Sequence, residues 1–427
     1  MSLYETRVEQ GRLEGIDKGD YALYRGVPYA EPPVDGLRFC APKKKEGWHG
    51  VRKATENPPI AWQTPQPAGS FYEKEFYAGD ESIRNRSEDC LYLNIWTPAQ
   101  KKSDGLPVLF WIHGGAFRHG FGHEREFDGK ACCKRGIILV TIQYRLGIFG
   151  FFDHPWLGQT GGSLAIQDQI AALKWVYDNI GEFGGDAGKI TVAGQSAGGV
   201  SVQALLCAPQ TEGRIHQAIL QSGGGYGQLE RRCQTKRDAL KAGIGFTQKY
   251  GIPSLEELKK IEAQALLKMA DEYAFPCRIT VSGDGQSGIM PEKSLYEKSR
   301  VKLPCLMGSN KNDIRVTQEM VQKGIPSDLY VGNMEFARQY GTQNNCYLYY
   351  FERQLPGDAA GAFHSAELWY MFGTLGRSWR PFAEADTVLS ERMLDAWCRF
   401  VKKGHPGERE GEWEAYREEK PYIHVWR

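Results

Sequence analysis

GGDAGKITVAGQSAGGVSVQALLCAP, residues 184–209, decides how this 427-residue chain is to be read. KITVAG (189–194) is an apolar, β-branched run of strand length, and a helical pattern, AGGVSVQALL, begins directly after Ser196. Ser196 therefore occupies a strand-to-helix turn, crowded by Gly194, Ala197, Gly198 and Gly199. In so tight a turn, side chains at 194 and 198 would collide with the strand and helix, and the serine needs a strained backbone that lifts its Oγ clear. G-Q-S-A-G thus fits the G-x-S-x-G nucleophile elbow. The pentapeptide alone also describes a glycine-rich turn with a helix-capping serine; the strand before it and the helix after it favour the nucleophile.

Working outward, VLFWIH (108–113), GIILVTIQY (136–144), HQAILQS (216–222), LPCLMGS (303–309), NCYLYYFE (345–352) and YIHVW (422–426) repeat the strand pattern. QDQIAALKWVYDNIGEF (167–183) and SLEELKKIEAQALLKMADEY (254–273) carry apolar residues at helical spacing. Strands alternating with helices predict an α/β fold with a mainly parallel sheet covered on both faces. The polar stretches 53–89 and 225–300 read as loops and helical insertions, which makes residues 1–427 one domain.

Lys and Arg number 53 against 52 Asp and Glu, so no charge excess points to nucleic acid or an anionic membrane as partner. The start, MSLYETRVEQGRLEGI, has no basic and apolar leader pattern, and runs such as LPVLFWI fall far short of the roughly 20 apolar residues of a membrane span. The ten cysteines form no CxxC pair and no metal-ligand spacing. The expectation is a cytoplasmic protein with reduced thiols and no metal site.

A nucleophilic serine needs donors for the charge it creates. HGGAF (113–117) follows the strand VLFWI about 80 residues before Ser196, and its small residues let backbone N–H groups approach a substrate oxygen. Gly115 and Ala116 from this loop, with Ala197 from the elbow, are the candidate oxyanion donors. A general base beyond residue 310 is left to His364, His405 or His424. His424 lies in a strand pattern and His405 in a Gly/Pro turn, whereas His364 in GAFHSAEL joins a small-residue loop to a helical pattern.

These motifs have company. YRGVPYAEPPVDGLRF (24–39), SEDCLYLNIWTP (87–98), WIHGGAF (111–117), QYRLGIFGF (143–151), GGSLAIQDQIAALKWVYDNIGEFGGDAGKITVAGQSAGG (161–199), QAILQSGG (217–224), GAFHSAELWYMFG (361–373) and the stretch from RPFAEAD (380–386) to GHPGE (404–408) resemble, in this order, the type-B carboxylesterases. The resemblance implies an α/β-hydrolase fold, hydrolysis of small carboxylic esters through an acyl-enzyme, and no cofactor. It also selects His364 as base.

The acid is expected in a loop after a strand, and LPCLMGS followed by NKNDIR places Asp313 there. The family commonly has Asp-Glu-Gly at this point and here the chain reads Asn312-Asp313-Ile314; an Asp can nonetheless accept the imidazole N–H and stabilise the imidazolium. Asp284 resembles a family position beneath the acyl side, while Asp328 and Asp358 are expected to be bystanders. Gln195 stands where the family often has Glu, and Ser222 matches a serine that supports the acid, though a strand-end turn serine reads the same way. Cys90, which forms a disulfide in secreted relatives, has only Cys40 upstream.

The interval from Asp313 to His364 is short for the family, so insertions at about 225–300 and 315–362 are expected to give a modest roof and an open, shallow site for short-acyl or aryl esters. Phe117 and Trp369 are candidate substrate contacts, and Phe121, Tyr370 and Phe372 are further aromatics near the mouth; each is equally well read as core. Non-catalytic binding proteins share the fold and most of these motifs, but typically lose the nucleophile that this chain keeps.

Overall fold

The computed structural model describes residues 2–158, 161–281, 303–342, 344–409 and 411–427. A ten-stranded sheet runs through it. In chain order its strands are β1 (Ile16–Asp17), β2 (Ala22–Pro28), β3 (Tyr92–Thr97), β4 (Leu106–Ile112), β5 (Ile138–Ile142), β6 (Gly185–Gln195), β7 (Gln217–Gln221), β8 (Cys305–Asn310), β9 (Cys346–Phe351) and β10 (Ile423–Trp426). They lie side by side as β10-β9-β8-β7-β6-β4-β5-β3-β2-β1. β4 to β10 are mutually parallel, and β3, β2 and β1 continue the sheet antiparallel.

All seven strands expected from apolar runs form the parallel block. Their composition follows from burial on both faces, which leaves no solvent side for polar residues to mark. In β4, Val108, Phe110 and Ile112 enter one core while Leu109 and Trp111 enter the other, the period-2 alternation of a strand. The helices α1 (Leu164–Asn179) and α2 (Ala197–Leu206) cover the first face. α3 (Glu384–Lys403) covers the second, burying Leu389, Met393, Trp397 and Phe400.

Two features depart from the sequence reading. The antiparallel strands were not anticipated as strands: β2 is interrupted by Gly26 at φ +67°, where its register to β3 shifts, so its side chains do not alternate cleanly. The helix expected over 254–273 is two helices, Leu255–Lys260 and Ala263–Glu272. Ile261 and Glu262 between them are extended (ψ 127° and 138°). Arg38, ion-paired with Glu88, donates from Nη1 to the carbonyls of Lys259 (2.9 Å) and Ile261 (2.6 Å). A guanidinium there satisfies carbonyls that a continuous helix would have used itself.

All ten cysteines are free thiols, Cys40 and Cys90 included. Among the described residues no helix is long and apolar enough to cross a membrane.

Candidate active site

The chemistry-bearing residues leave the C-terminal ends of parallel strands, where open α/β sheets gather their sites. Ser196 follows β6 and Ser222 follows β7; Asp313 lies three residues after β8. At Ser196 the backbone takes φ 56°, ψ −123°, a conformation non-glycine residues seldom adopt. The surrounding glycines make it attainable. A Cβ at Gly198 would stand 2.1 Å from the Ile112 carbonyl oxygen, and one at Gly223 would stand 1.9 Å from that of Ser196. Side chains at 194 and 199 would likewise come within 2.5 Å of backbone oxygens.

After β4, the chain turns at Gly115 (φ 98°) and passes through Ala116 and Phe117, both at positive φ. His113 anchors this loop. Its ring is buried and stacked on Tyr144, whose hydroxyl donates to the His113 carbonyl at 2.9 Å, and burial pushes the imidazole pKa down to about 4. The backbone N–H groups of Gly115, Ala116 and Ala197 have no hydrogen-bond acceptor among the described residues. They are thus donors in waiting.

Asp313 and His364 meet directly. His364 Nδ1 lies 2.5 Å from Asp313 Oδ1, and both side chains are buried. The carboxylate takes three further donors: Ile314 N–H on Oδ1 (2.9 Å), and the Ser222 hydroxyl (2.7 Å) and Asn310 N–H (2.9 Å) on Oδ2. This answers what Ser222 is for in geometric terms. A neighbouring bridge aligns the two loops: Asn312 N–H donates to Ala362 O and Ala362 N–H to Asn312 Oδ1, each at 3.0 Å.

On its other side His364 meets Gln195, with Gln195 Nε2 3.2 Å from His364 Nε2. Among the described residues this amide, rather than the Ser196 hydroxyl, is the partner of Nε2. Ser196, His364, Gly115 and Ala116 all line one cavity of about 240 Å³. His405 and His424 do not line it; His424 is stacked on Trp413 in edge strand β10.

Sequence reasoning missed Glu367, a fully buried acid three residues beyond His364, bonded to Asn310 Nδ2 (2.5 Å) and Gln221 Nε2 (3.2 Å). Burial raises its pKa. Nothing in GAFHSAEL distinguishes this glutamate from a solvated one except its place three residues after the histidine.

The aromatic contacts need correction. Phe117 is fully buried against Phe151, since its backbone carries it away from the cavity into the core. Trp369 is stacked on Phe76 and donates Nε1 to Glu75 (2.9 Å). Phe121, Tyr370 and Phe372 are core residues as well. The aromatic walls are Tyr72, Phe76, Tyr77 and Phe127, three of them from the polar stretch 53–89. Of the described parts of 225–300 and 315–362, only Arg232 reaches the cavity, and Asp284 lies outside the described residues. Asp358 is not a bystander in packing: it pairs with Arg380, whose Nε binds Glu75. The buried Arg380–Glu75 pair, extended by the exposed Asp358, secures the segment bearing Tyr72, Phe76 and Tyr77.

Among the described residues no cluster of three or more His, Cys, Asp or Glu has the arrangement of a metal site. The arrangement present suits acyl transfer: a strained serine, an imidazole oriented by a carboxylate, and unspent N–H donors around one cavity.

The model of the carboxylesterase family matches residues 4–330 and 327–426. Para-nitrobenzyl esterase of Bacillus subtilis is 32% identical, over 96% of this chain and 92% of that protein. Liver carboxylesterase 1 of Oryctolagus cuniculus is 30% identical, over 97% and 86%. Among solved structures, a PNB esterase superposes with TM-score 0.87 at 29% identity, covering 99% of this chain and 95% of that one. A Geobacillus stearothermophilus carboxylesterase superposes with TM-score 0.82, also at 29% identity, with 99% and 96% covered. With its α/β-hydrolase fold the chain belongs to the carboxylesterase family and is a carboxylic-ester hydrolase.

Proposed function

We propose that Ser196, His364 and Asp313 form the catalytic triad of this esterase, with Gly115, Ala116 and Ala197 as the oxyanion hole. The observation that carries the reading is the 2.5 Å contact from His364 Nδ1 to Asp313, in a cavity that His364 shares with Ser196 and the Gly115–Ala116 loop. Asp313 holds the imidazole as its Nδ1–H tautomer, leaving Nε2 free to act as base. Gln195 is the resting partner of Nε2, and the Ser196 hydroxyl takes its place when substrate enters; catalytic hydrogen bonds commonly tighten only in the substrate complex. Ser196 Oγ then attacks the ester carbonyl, His364 receives its proton and passes it to the leaving alcohol, and water repeats the sequence on the acyl-enzyme. Each oxyanion donor contributes about 2.7–4 kcal/mol to the transition state.

The substrates are short-acyl or aryl esters of small size. A cavity of about 240 Å³ supports this, being below the roughly 300–1,000 Å³ usual for drug-sized ligands. The chain acts as a single catalytic domain, in the cytoplasm, where its ten free thiols stay reduced. The test is a series of p-nitrophenyl esters together with a fluorophosphonate probe. Acetate and butyrate esters should give the highest kcat/KM and the probe should label Ser196. A kcat/KM that climbs steadily to C12 acyl chains would overturn the size preference, and a protein inert to probe and esters alike would overturn the triad.

A further inference from the structure

Two acids in the catalytic cavity have no part in the mechanism above. Glu124 and Glu126 line the same cavity as Ser196 and His364 and are only 6% and 2% exposed. Glu124 Oε1 accepts the Tyr77 hydroxyl (2.7 Å) and the Phe121 N–H (3.1 Å), while Glu126 Oε2 is buried with no hydrogen-bond partner among the described residues.

Like Glu367, which among the described residues only the Asn310 and Gln221 amides meet, they lack the cation that several other buried carboxylates have. Asp168 is ion-paired with Arg145, Glu75 with Arg380 and Asp386 with Arg353. Neither Glu124 nor Glu126 has an ion-pair partner among the described residues. Arg125, between them in sequence, donates its guanidinium to the Ala78 carbonyl. His123 is held neutral by burial, which pushes its pKa down to about 4; Tyr77 and Tyr144 are neutral, and Asp80 adds negative charge. Arg232 lines the same cavity and Arg125 acts on Glu126 through its charge, but among the described residues no cation is ion-paired with either carboxyl. A buried carboxylate without one is costly, and a cationic ligand removes that cost.

We propose that Glu124 and Glu126 form a cation subsite within the catalytic cavity, and that the enzyme prefers esters bearing a primary ammonium group over their uncharged isosteres. The inference rests on the esterase reading of the same cavity. Burial sets its pH behaviour: it pushes the Glu124 pKa up to about 7 although the hydrogen bond with Glu126 pulls the other way, and burial together with the neighbouring Glu124 carboxyl pushes that of Glu126 well above the carboxylate range. Near pH 6 the pair is largely protonated and neutral; by pH 8 it carries negative charge, while a primary ammonium of pKa about 10 remains charged. Preference for the cation therefore grows as pH rises.

The experiment measures kcat/KM for 3-aminopropyl acetate against butyl acetate, and for ethyl 3-aminopropanoate against ethyl butanoate, from pH 6 to 8. One pair places the ammonium in the alcohol and the other in the acyl group. The ammonium-to-isostere ratio is expected to rise about tenfold across this range in at least one pair, a charge-assisted hydrogen bond being strong enough for such discrimination. The rise should vanish in the Glu124→Gln, Glu126→Gln double variant. Ratios that stay flat in both pairs overturn the proposal in the unmodified enzyme, whatever the variant does; a rise that survives in a folded double variant assigns the preference elsewhere and overturns it too. Failure of charged and uncharged esters alike to react would instead sink the esterase reading of this cavity on which the subsite depends.

Discussion

Replacing Asp313 with asparagine tests the acid of the proposed triad, and the hydrogen bonds around it set the size of the effect. Four donors converge on the carboxylate: His364 and Ile314 N–H on Oδ1, Ser222 and Asn310 N–H on Oδ2. An asparagine supplies one oxygen and one NH₂, so either orientation turns a donor against a backbone N–H. With NH₂ toward His364, the imidazole must present an unprotonated Nδ1, and the catalytic Nε2 then carries the proton. With NH₂ toward Asn310, the tautomer survives, but the Asn310 N–H loses its acceptor and the negative charge is lost. Loss of the correct tautomer in other triads costs on the order of 10⁴ in kcat, about 5.4 kcal/mol. The stranded N–H should lower stability by about 1–3 kcal/mol. We expect kcat for p-nitrophenyl acetate to fall on the order of 10⁴-fold, with KM little changed and an unaltered circular dichroism spectrum. A folded Asp313→Asn enzyme retaining more than about a tenth of its kcat would place the triad acid elsewhere.

Ser196→Ala should keep the fold and abolish both turnover and fluorophosphonate labelling; a phosphonate adduct on the purified variant would relocate the nucleophile. Gly223→Ala would set a Cβ 1.9 Å from the Ser196 carbonyl oxygen, so it should destabilise the protein by about 3 kcal/mol and remove activity, read by thermal denaturation and ester turnover. An alanine at 223 with wild-type Tm and kcat would show the elbow to be more yielding than its packing indicates. Stability should also depend on pH through Glu124. Its folded-state pKa, about 7, lies above the unfolded value near 4.3, so the folded protein holds a proton that the unfolded chain releases, and stability declines as pH rises between these values. Glu124→Gln should flatten this decline in urea titrations at pH 5 and pH 8; an unchanged slope would refute the assignment.

What the sequence revealed follows from the kind of signal each element carries. The seven parallel strands were legible because two-sided burial writes itself as continuous apolar runs, and the elbow because only small residues fit around Ser196. His364 and Asp313 were legible by position and family resemblance. Their partnership with Ser222, Asn310 and Glu367 was not, since it depends on contacts across β7, β8 and the loop beyond β9. The cavity walls were hardest to foresee. Tyr72, Phe76 and Tyr77 sit in a polar stretch without periodicity and are held by the distant Arg380, whereas the more conspicuous Phe117 and Trp369 face inward.

The paired bonds between Asn312 and Ala362 have a consequence for how the enzyme wears out. Because they fasten the loop of Asp313 to the loop of His364, the proposed base and acid travel together whenever this part of the sheet breathes. Ser196 rides on a different support, the β6–α2 elbow, and its link across to His364 runs beside the side-chain amide of Gln195. Gentle heating should therefore part serine from histidine well before it parts histidine from aspartate, giving a dormant enzyme whose imidazole is still correctly oriented and whose activity returns on cooling. Durability would then be improved most by bracing the seam between the elbow and the His364 loop.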